Sequence, residues 1–88
     1  MARLGADVDA LDHLCRTFQA EAAKIQQTIS TISSQVHSAW WEGNDARNFK
    51  NQWDGEFRAR LAQVQHALEA TGHVVGRQAN QQRSCSNN

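Results

Sequence analysis

Apolar side chains recur at alternating spacings of four and three residues, without a break, through the first half of the chain. Because 40% of all residues are apolar, ten consecutive matches to one such register arise by chance only about once in ten thousand trials. The pattern predicts one amphipathic helix over about residues 6–41, with a gentle left-handed supercoil. Its members are Leu4, Val8, Leu11, Cys15, Phe18, Ala22, Ile25, Ile29, Ile32 and Val36.

The second half carries a similar but less regular stripe, which predicts a second helix over about residues 45–80. Between Phe49 and Leu61 successive members are four residues apart, and this stutter, which contains Gly55, predicts a local unwinding of the helix. Gly72 and Gly76 weaken its last turns. The stripe consists of Ala46, Phe49, Trp53, Phe57, Leu61, Val64, Leu68, Thr71 and Val75.

A short polar segment, Glu42-Gly43-Asn44-Asp45, separates the two stripes. We expect Gly43 to adopt a left-handed conformation that ends the first helix, and Asn44 to cap the second. Because a turn over residues 41–45 is short, the helices must be antiparallel neighbours. The predicted fold is all-α, an antiparallel two-helix hairpin over residues 1–82, followed by a flexible polar tail over residues 83–88.

Two helices in 88 residues share a single interface, which gives a thin core. Aromatic side chains also crowd the turn end, more than one hairpin can cover. Both features predict that two hairpins pair into a four-helix bundle dimer. We assign the hairpin and dimer seam to Leu11, Phe18, Ile25, Ile29, Ile32, Val36, Phe57, Leu61, Val64 and Leu68.

Charge and residue spacing argue against several other functions. Nine basic residues balance nine acidic residues, so nothing in the net charge favours nucleic acid. His66 and His73 lie two helical turns apart, too far for one metal ion, and no H-x-x-x-H spacing occurs. Cys15 and Cys85 match no metal or redox spacing. We predict no catalytic, metal-binding or cofactor-binding residues, and hence no enzyme and no cofactor.

Membrane insertion and export by a cleaved signal are also not expected. No apolar run approaches the roughly 18 residues that a membrane span needs. The N-terminal sequence MARLGADVDA lacks the charged-then-apolar layout of a cleavable signal peptide. If the protein leaves the cell, it must use another route.

The turn carries a Trp-x-Gly element, Trp41-Glu42-Gly43, which continues with Ala46, Phe49 and Trp53 as W-x-G-x-x-A-x-x-F-x-x-x-W. At the midpoint of a heptad hairpin, this arrangement resembles the WXG family, the small ESAT-like helical hairpins of type VII secretion systems. The resemblance covers essentially the whole chain. Beside any role in export, Gly43 makes the turn, and the three aromatic side chains pack the helix ends.

The resemblance implies a dimer, formed with a second copy or with a WXG-type partner from a neighbouring gene. It implies export of the folded dimer from the cytoplasm, without a cleaved signal peptide, by a type VII secretion ATPase. In the family, the Trp-x-Gly turn of one subunit and a Y-x-x-x-D/E tail of the other form one export signal. This chain has no tyrosine and departs from the family pattern, so either a partner supplies the tail or the chain has another role.

Two other functions remain open at this point. The alternative to a secreted substrate is an intracellular adaptor that pairs with the helical N-terminal domain of a larger type VII toxin or effector and escorts it to the same machine. It is also compatible with a structural or regulatory helical protein outside secretion, including a nucleic-acid binder. The neighbouring open reading frame distinguishes export from the adaptor role. A short hairpin with Y-x-x-x-D/E favours export, and a long toxin favours the adaptor.

Overall fold

A computed structural model of the protein describes the backbone of residues 7–87 and the side chains of residues 7–82. The first arm is helix α1, Val8–Ser38. The second arm consists of helix α2, Asn44–Gln52, a π-helical turn, Trp53–Phe57, and helix α3, Arg58–Asn87. The described part contains only helices and their connection, so the predicted all-α fold is confirmed, and two long arms form a hairpin about 66 Å in length.

Helix α1 begins at an acidic cap. The Asp7 side chain accepts hydrogen bonds from the backbone N–H groups of Asp9, at 3.0 Å, and Ala10, at 3.2 Å. These two groups have no partner inside the helix, so the carboxylate fixes the first turn. The helix ends at Ser38, three residues before the predicted end, because Ala39 has an extended conformation with ψ of 134°.

The apolar stripe of α1 lies against the second arm. Each of its nine members from Val8 to Val36 is buried or half-buried, and Ala22 is the most buried of them. Leu4, the tenth member, lies outside the described residues. The three-four spacing therefore produces one continuous inward edge along the whole helix.

Small residues line the part of α3 that faces α1. Gly72 and Ala79 are buried and Gly76 is half-buried. A Cβ atom added at Gly72 would lie 3.2 Å from the Cβ atom of Phe18, and one added at Gly76 would lie 3.3 Å from the Sγ atom of Cys15. Glycine at these two positions allows the helices to approach closely. The sequence predicts only that both glycines weaken the last turns of the helix, and it does not predict this packing role.

The side of α3 that contacts α1 differs from the predicted stripe. Gln65 is half-buried and Gly72 is buried, whereas Thr71 is exposed and Val64 is 49% exposed. Within the hairpin, Val64 therefore lies outside the contact between the two arms. If Val64 belongs to the predicted seam, it must contribute to an interface with another molecule and not to the hairpin itself.

The predicted stutter coincides with the π-helical turn. The backbone N–H group of Arg58 donates to the carbonyl oxygen of Trp53, five residues earlier, instead of the usual four. This wider turn is the local unwinding that the spacing of Phe49, Trp53, Phe57 and Leu61 predicts. The second arm then continues as α3 to Asn87, beyond the predicted boundary at residue 82.

The hairpin buries few large side chains. Among the described residues, the buried apolar ones are Ala22, Ala46, Trp53 and Ala79. The leucine, isoleucine and valine side chains of the two stripes between Val8 and Val75 are at best half-buried. A single line of contact between two helices leaves one side of each such chain open to water.

The close approach at Gly72 yields a test of the helix contact. We expect Gly72→Val to lower the free energy of unfolding by about 1–3 kcal/mol, because the added methyl groups would overlap Phe18 and the backbone of Cys15. Gly55→Ala is the control, since a Cβ atom there meets nothing within 4 Å, and we expect it to be neutral or stabilising by up to about 1 kcal/mol. Urea titration measures both, and equal stability of the two variants would contradict the close contact.

Candidate interaction site at the Trp-x-Gly turn

The turn depends on one glycine with an unusual backbone. Gly43 has φ of 110° and ψ of 178°, and it is the only residue with positive φ in the described part of the chain. This region of φ and ψ is essentially restricted to glycine. Gly43 precedes α2, and its carbonyl oxygen accepts from the N–H group of Arg47 at 3.1 Å.

Two details of the predicted turn are wrong. Gly43 does not end the first helix, because α1 ends at Ser38 and residues 39–43 connect the arms. Asn44 is not the cap of the second helix but its first residue, and Gly43 occupies the cap position without a side-chain hydrogen bond. The antiparallel return of the chain takes these five non-helical residues, so the helices are separated by a true loop.

Trp41 is fixed against α2 while part of its surface faces water. Its ring packs on Phe49 with 5.6 Å between ring centroids and 46° between planes. The Lys50 ammonium donates to the Trp41 carbonyl oxygen at 3.3 Å. Trp41 nevertheless remains 46% exposed. Its position is thus defined by contacts on one side, and its other side is free to contact a second protein.

Trp53 joins the two arms behind this surface. It is only 5% exposed, and its indole Nε1–H group donates to the hydroxyl oxygen of Ser33 on α1 at 2.9 Å. A second link between the arms lies nearby, with 3.2 Å between His37 Nε2 and Asp54 Oδ1. The buried indole group is therefore satisfied, as a polar group out of water must be. Sequence reasoning missed Ser33, although it directly follows Ile32 of the stripe.

Ala46 and Trp40, both at this end of the hairpin, differ strongly in their exposure to water. Ala46 is 1% exposed, so a larger side chain would have to displace α2. Trp40 is 91% exposed, although a tryptophan in water leaves a large apolar surface uncovered. Trp40 lies outside the Trp-x-Gly motif. The signal for its exposure is its position in the connection, where no helix periodicity directs it inward.

A cleft of about 320 Å³ opens beside the motif. Trp41 and Gly43 line it together with the cations of Arg47 and Lys50 and the carboxylate of Glu42, so cations outnumber anions. The Arg47 guanidinium donates to the Asn44 side-chain oxygen, which holds it along α2. An aromatic edge beside two cations suits a polypeptide that carries an acidic side chain. Its lining residues are Trp41, Glu42, Gly43, Ala46, Arg47 and Lys50.

The open faces of the hairpin differ in polarity. On one side, a groove runs between the arms and is lined by Gln19, Gln26, Gln65, Glu69 and His73 together with Ala22 and Ala23. Each helix turns about 100° per residue, so residues one position away from the glutamine-lined edge of each arm lie toward the opposite face of the hairpin. The apolar residues on that side are Leu14, Phe18, Ile25 and Ile32 of α1 and Leu61, Val64, Leu68 and Val75 of α3. Lys24, Gln27, Thr28 and Thr31 line a pocket beside Ile32.

The other titratable groups do not converge. His66 Nδ1 lies 3.1 Å from Glu69 Oε1 within one turn of α3, and both side chains are largely in water. Among the residues that the structure describes, no group of three or more His, Cys, Asp or Glu side chains is placed to hold a metal ion. Of the helices in the described range, none combines the length and apolar character needed to cross a membrane.

The chain matches no family model, no curated protein and no solved structure. The features that bear on function are therefore the Trp-x-Gly motif, the geometry of the turn and the two faces of the hairpin.

The backbone at Gly43 yields a second test. Gly43→Ala should lower the free energy of unfolding by about 1–3 kcal/mol, because alanine tolerates this φ poorly. No atom lies within 4 Å of the added Cβ position, so the cost would come from the backbone alone. Glu42→Ala, at the adjacent exposed position, should change stability by less than about 0.5 kcal/mol. Urea titration compares the two variants, and a Gly43→Ala loss as small as that of the control would contradict the positive φ.

Proposed function

We propose that the protein is a small non-enzymatic substrate of a type VII secretion system that acts as a dimeric interaction protein. The observation that carries the proposal is the Trp-x-Gly turn at the tip of an antiparallel hairpin. There Trp41 is held by Phe49 and Lys50 yet half-exposed, beside a cleft. A tryptophan that is ordered and accessible is suited to recognition by another protein. Its turn would form one half of a composite export signal.

The dimer is supported by the open apolar face. Among the described residues, none of the stripe leucines, isoleucines or valines is buried in the hairpin, and Leu14 and Val64 are more than 40% exposed. Partly exposed apolar side chains along one side of the hairpin favour an interaction site there. A second hairpin laid on this face would complete a four-helix bundle. The partner is a second copy of the chain or a second WXG-type protein.

The groove lined by glutamines would stay in water in such a dimer. Gln19, Gln26 and Gln65 have amide groups that need hydrogen-bond partners when buried, and water supplies them on an open face. The aliphatic and aromatic side chains of the apolar face carry no comparable demand. The difference in polarity therefore favours the apolar face, and not the glutamine-lined groove, as the surface that contacts the partner.

The second half of the signal would come from the partner. The chain has no tyrosine, so it cannot supply a Y-x-x-x-D/E tail itself. The cleft beside Trp41, with Arg47 and Lys50 on its wall, suits the acidic residue of such a tail. In this proposal the dimer forms in the cytoplasm, a type VII secretion ATPase recognises it, and both subunits leave the cell without a cleaved signal peptide.

The missing tyrosine also favours a second candidate function. As an intracellular adaptor, the chain would pair through the same apolar face with the helical N-terminal domain of a larger type VII toxin or effector. That partner would carry the export signal. The two functions differ in whether the chain itself appears outside the cell.

The apolar face yields a test of the dimer. Val64→Asp should abolish dimer formation, because it places a charge in the middle of the proposed interface. Val74→Asp is a matched control, since Val74 has nearly the same exposure, 46% against 49%, but lies on the outer side of α3. Sedimentation equilibrium, with the coexpressed partner where one is needed, measures the complex. Equal effects of the two substitutions would exclude the proposed face.

Export is tested by replacing the accessible tryptophan of the motif. Trp41→Ala should reduce stability by less than the roughly 3–5 kcal/mol of a fully buried aromatic residue. Secretion of both subunits should nevertheless fail, because the composite signal loses its turn. Trp40→Ala is the control, as it removes a neighbouring tryptophan outside the motif.

Immunoblots of culture supernatant and cell lysate for both proteins give the result. Wild-type export of an intact Trp41→Ala dimer would make Trp41 a packing residue only. Export of the unmutated chain in cells without a tyrosine-bearing partner would refute the composite signal. A partner that appears outside while this chain stays inside would favour the adaptor.

A further inference from the structure

Two pairs of buried residues mark the inner side of the second arm. Ala46 and Trp53 lie near the turn, and Gly72 and Ala79 lie toward the far end. Within each pair the residues are seven positions apart, or about two helical turns. Trp53 bonds to Ser33 of α1, and Gly72 lies against Phe18 of α1, although Trp53 belongs to the π turn and Gly72 to α3.

A continuous α-helix could not place both pairs on one side. Nineteen residues separate Trp53 from Gly72, and at about 100° per residue they amount to about 100° more than five full turns. In an unbroken helix, the face that carries Trp53 and the face that carries Gly72 would therefore diverge by about a quarter of a turn. One of the two pairs would then lose its contact with α1.

We infer that the π turn, Trp53–Phe57, is a one-residue insertion that keeps the tryptophan turn and the glycine contact in phase. Its hydrogen bond spans five residues instead of four, so it takes up one extra residue without rotating the helix that follows. The eighteen residues that remain correspond to five full turns. This inference does not depend on the proposed function.

Gly55 is the residue of the π turn whose deletion should remove the fewest contacts. It is exposed, and a Cβ atom at this position meets nothing within 4 Å. Its neighbours all have contacts: Trp53 bonds to Ser33, Asp54 lies beside His37, and Phe57 is half-buried. Deletion of Gly55 turns the π turn into ordinary α-helix and leaves these neighbours on the same face.

The test compares three variants of the full chain. In the first, Gly55 is deleted. In the second, Gln63, an exposed residue of regular helix in α3, is deleted. The third lacks Gly55 and has an alanine inserted after Gln63, so that its length equals that of the wild type. Thermal unfolding followed by circular dichroism gives the midpoint, and the indole N–H resonance of Trp53 reports its bond to Ser33.

We expect the deletion of Gly55 to leave the midpoint within about 3 °C of the wild type and the Trp53 resonance in place. The other two variants rotate the rest of α3 by about 100°, so we expect each to lose more than about 10 °C or its cooperative transition, a loss of roughly 2 kcal/mol or more. Equal losses on deletion of Gly55 and of Gln63 would overturn the inference. Wild-type behaviour of the length-restored variant would overturn it as well.

Discussion

The contact between α1 and α3 is the interaction on which the rest of the protein depends, and it is close because glycine lines it. Gly72 and Gly76 lie so close to α1 that an added Cβ atom would come within 3.2 Å of Phe18 and 3.3 Å of Cys15. Two helices that meet along one line bury small residues well and large ones poorly. The hairpin therefore has a tight seam and an open apolar flank at the same time.

The same contact determines the geometry of the turn end. With the arms close together, Trp53 lies between them and bonds to Ser33, and this leaves Trp41 on the outer side of α2. One tryptophan of the motif thus serves the fold, and another remains accessible. The apolar flank and the accessible Trp41 lie on one rigid rod, which is the arrangement that the proposed dimeric export substrate requires.

Much of this architecture follows from local sequence. The three-four spacing from Val8 to Val36 determines a single amphipathic helix, because only one face of a helix repeats at that interval. Gly43 marks the turn, since few other residues tolerate its backbone. The stutter from Phe49 to Leu61 predicts the unwinding at the π turn. Absence of tyrosine is likewise a property of the sequence, and it directs attention to a partner.

Other features depend on how the two arms meet. Apolar spacing places Val64 in the stripe, but the close approach at Gly72 rotates the contact toward Gln65 and leaves Val64 in water. Periodicity records which residues are apolar and not how near two backbones can come, so it cannot determine this rotation. The bond from Trp53 to Ser33 joins residues twenty positions apart, and no local pattern specifies it. The sequence by itself determines two amphipathic helices and a turn, whereas the tertiary structure decides which sides of them meet, because that choice depends on the packing distance between the arms.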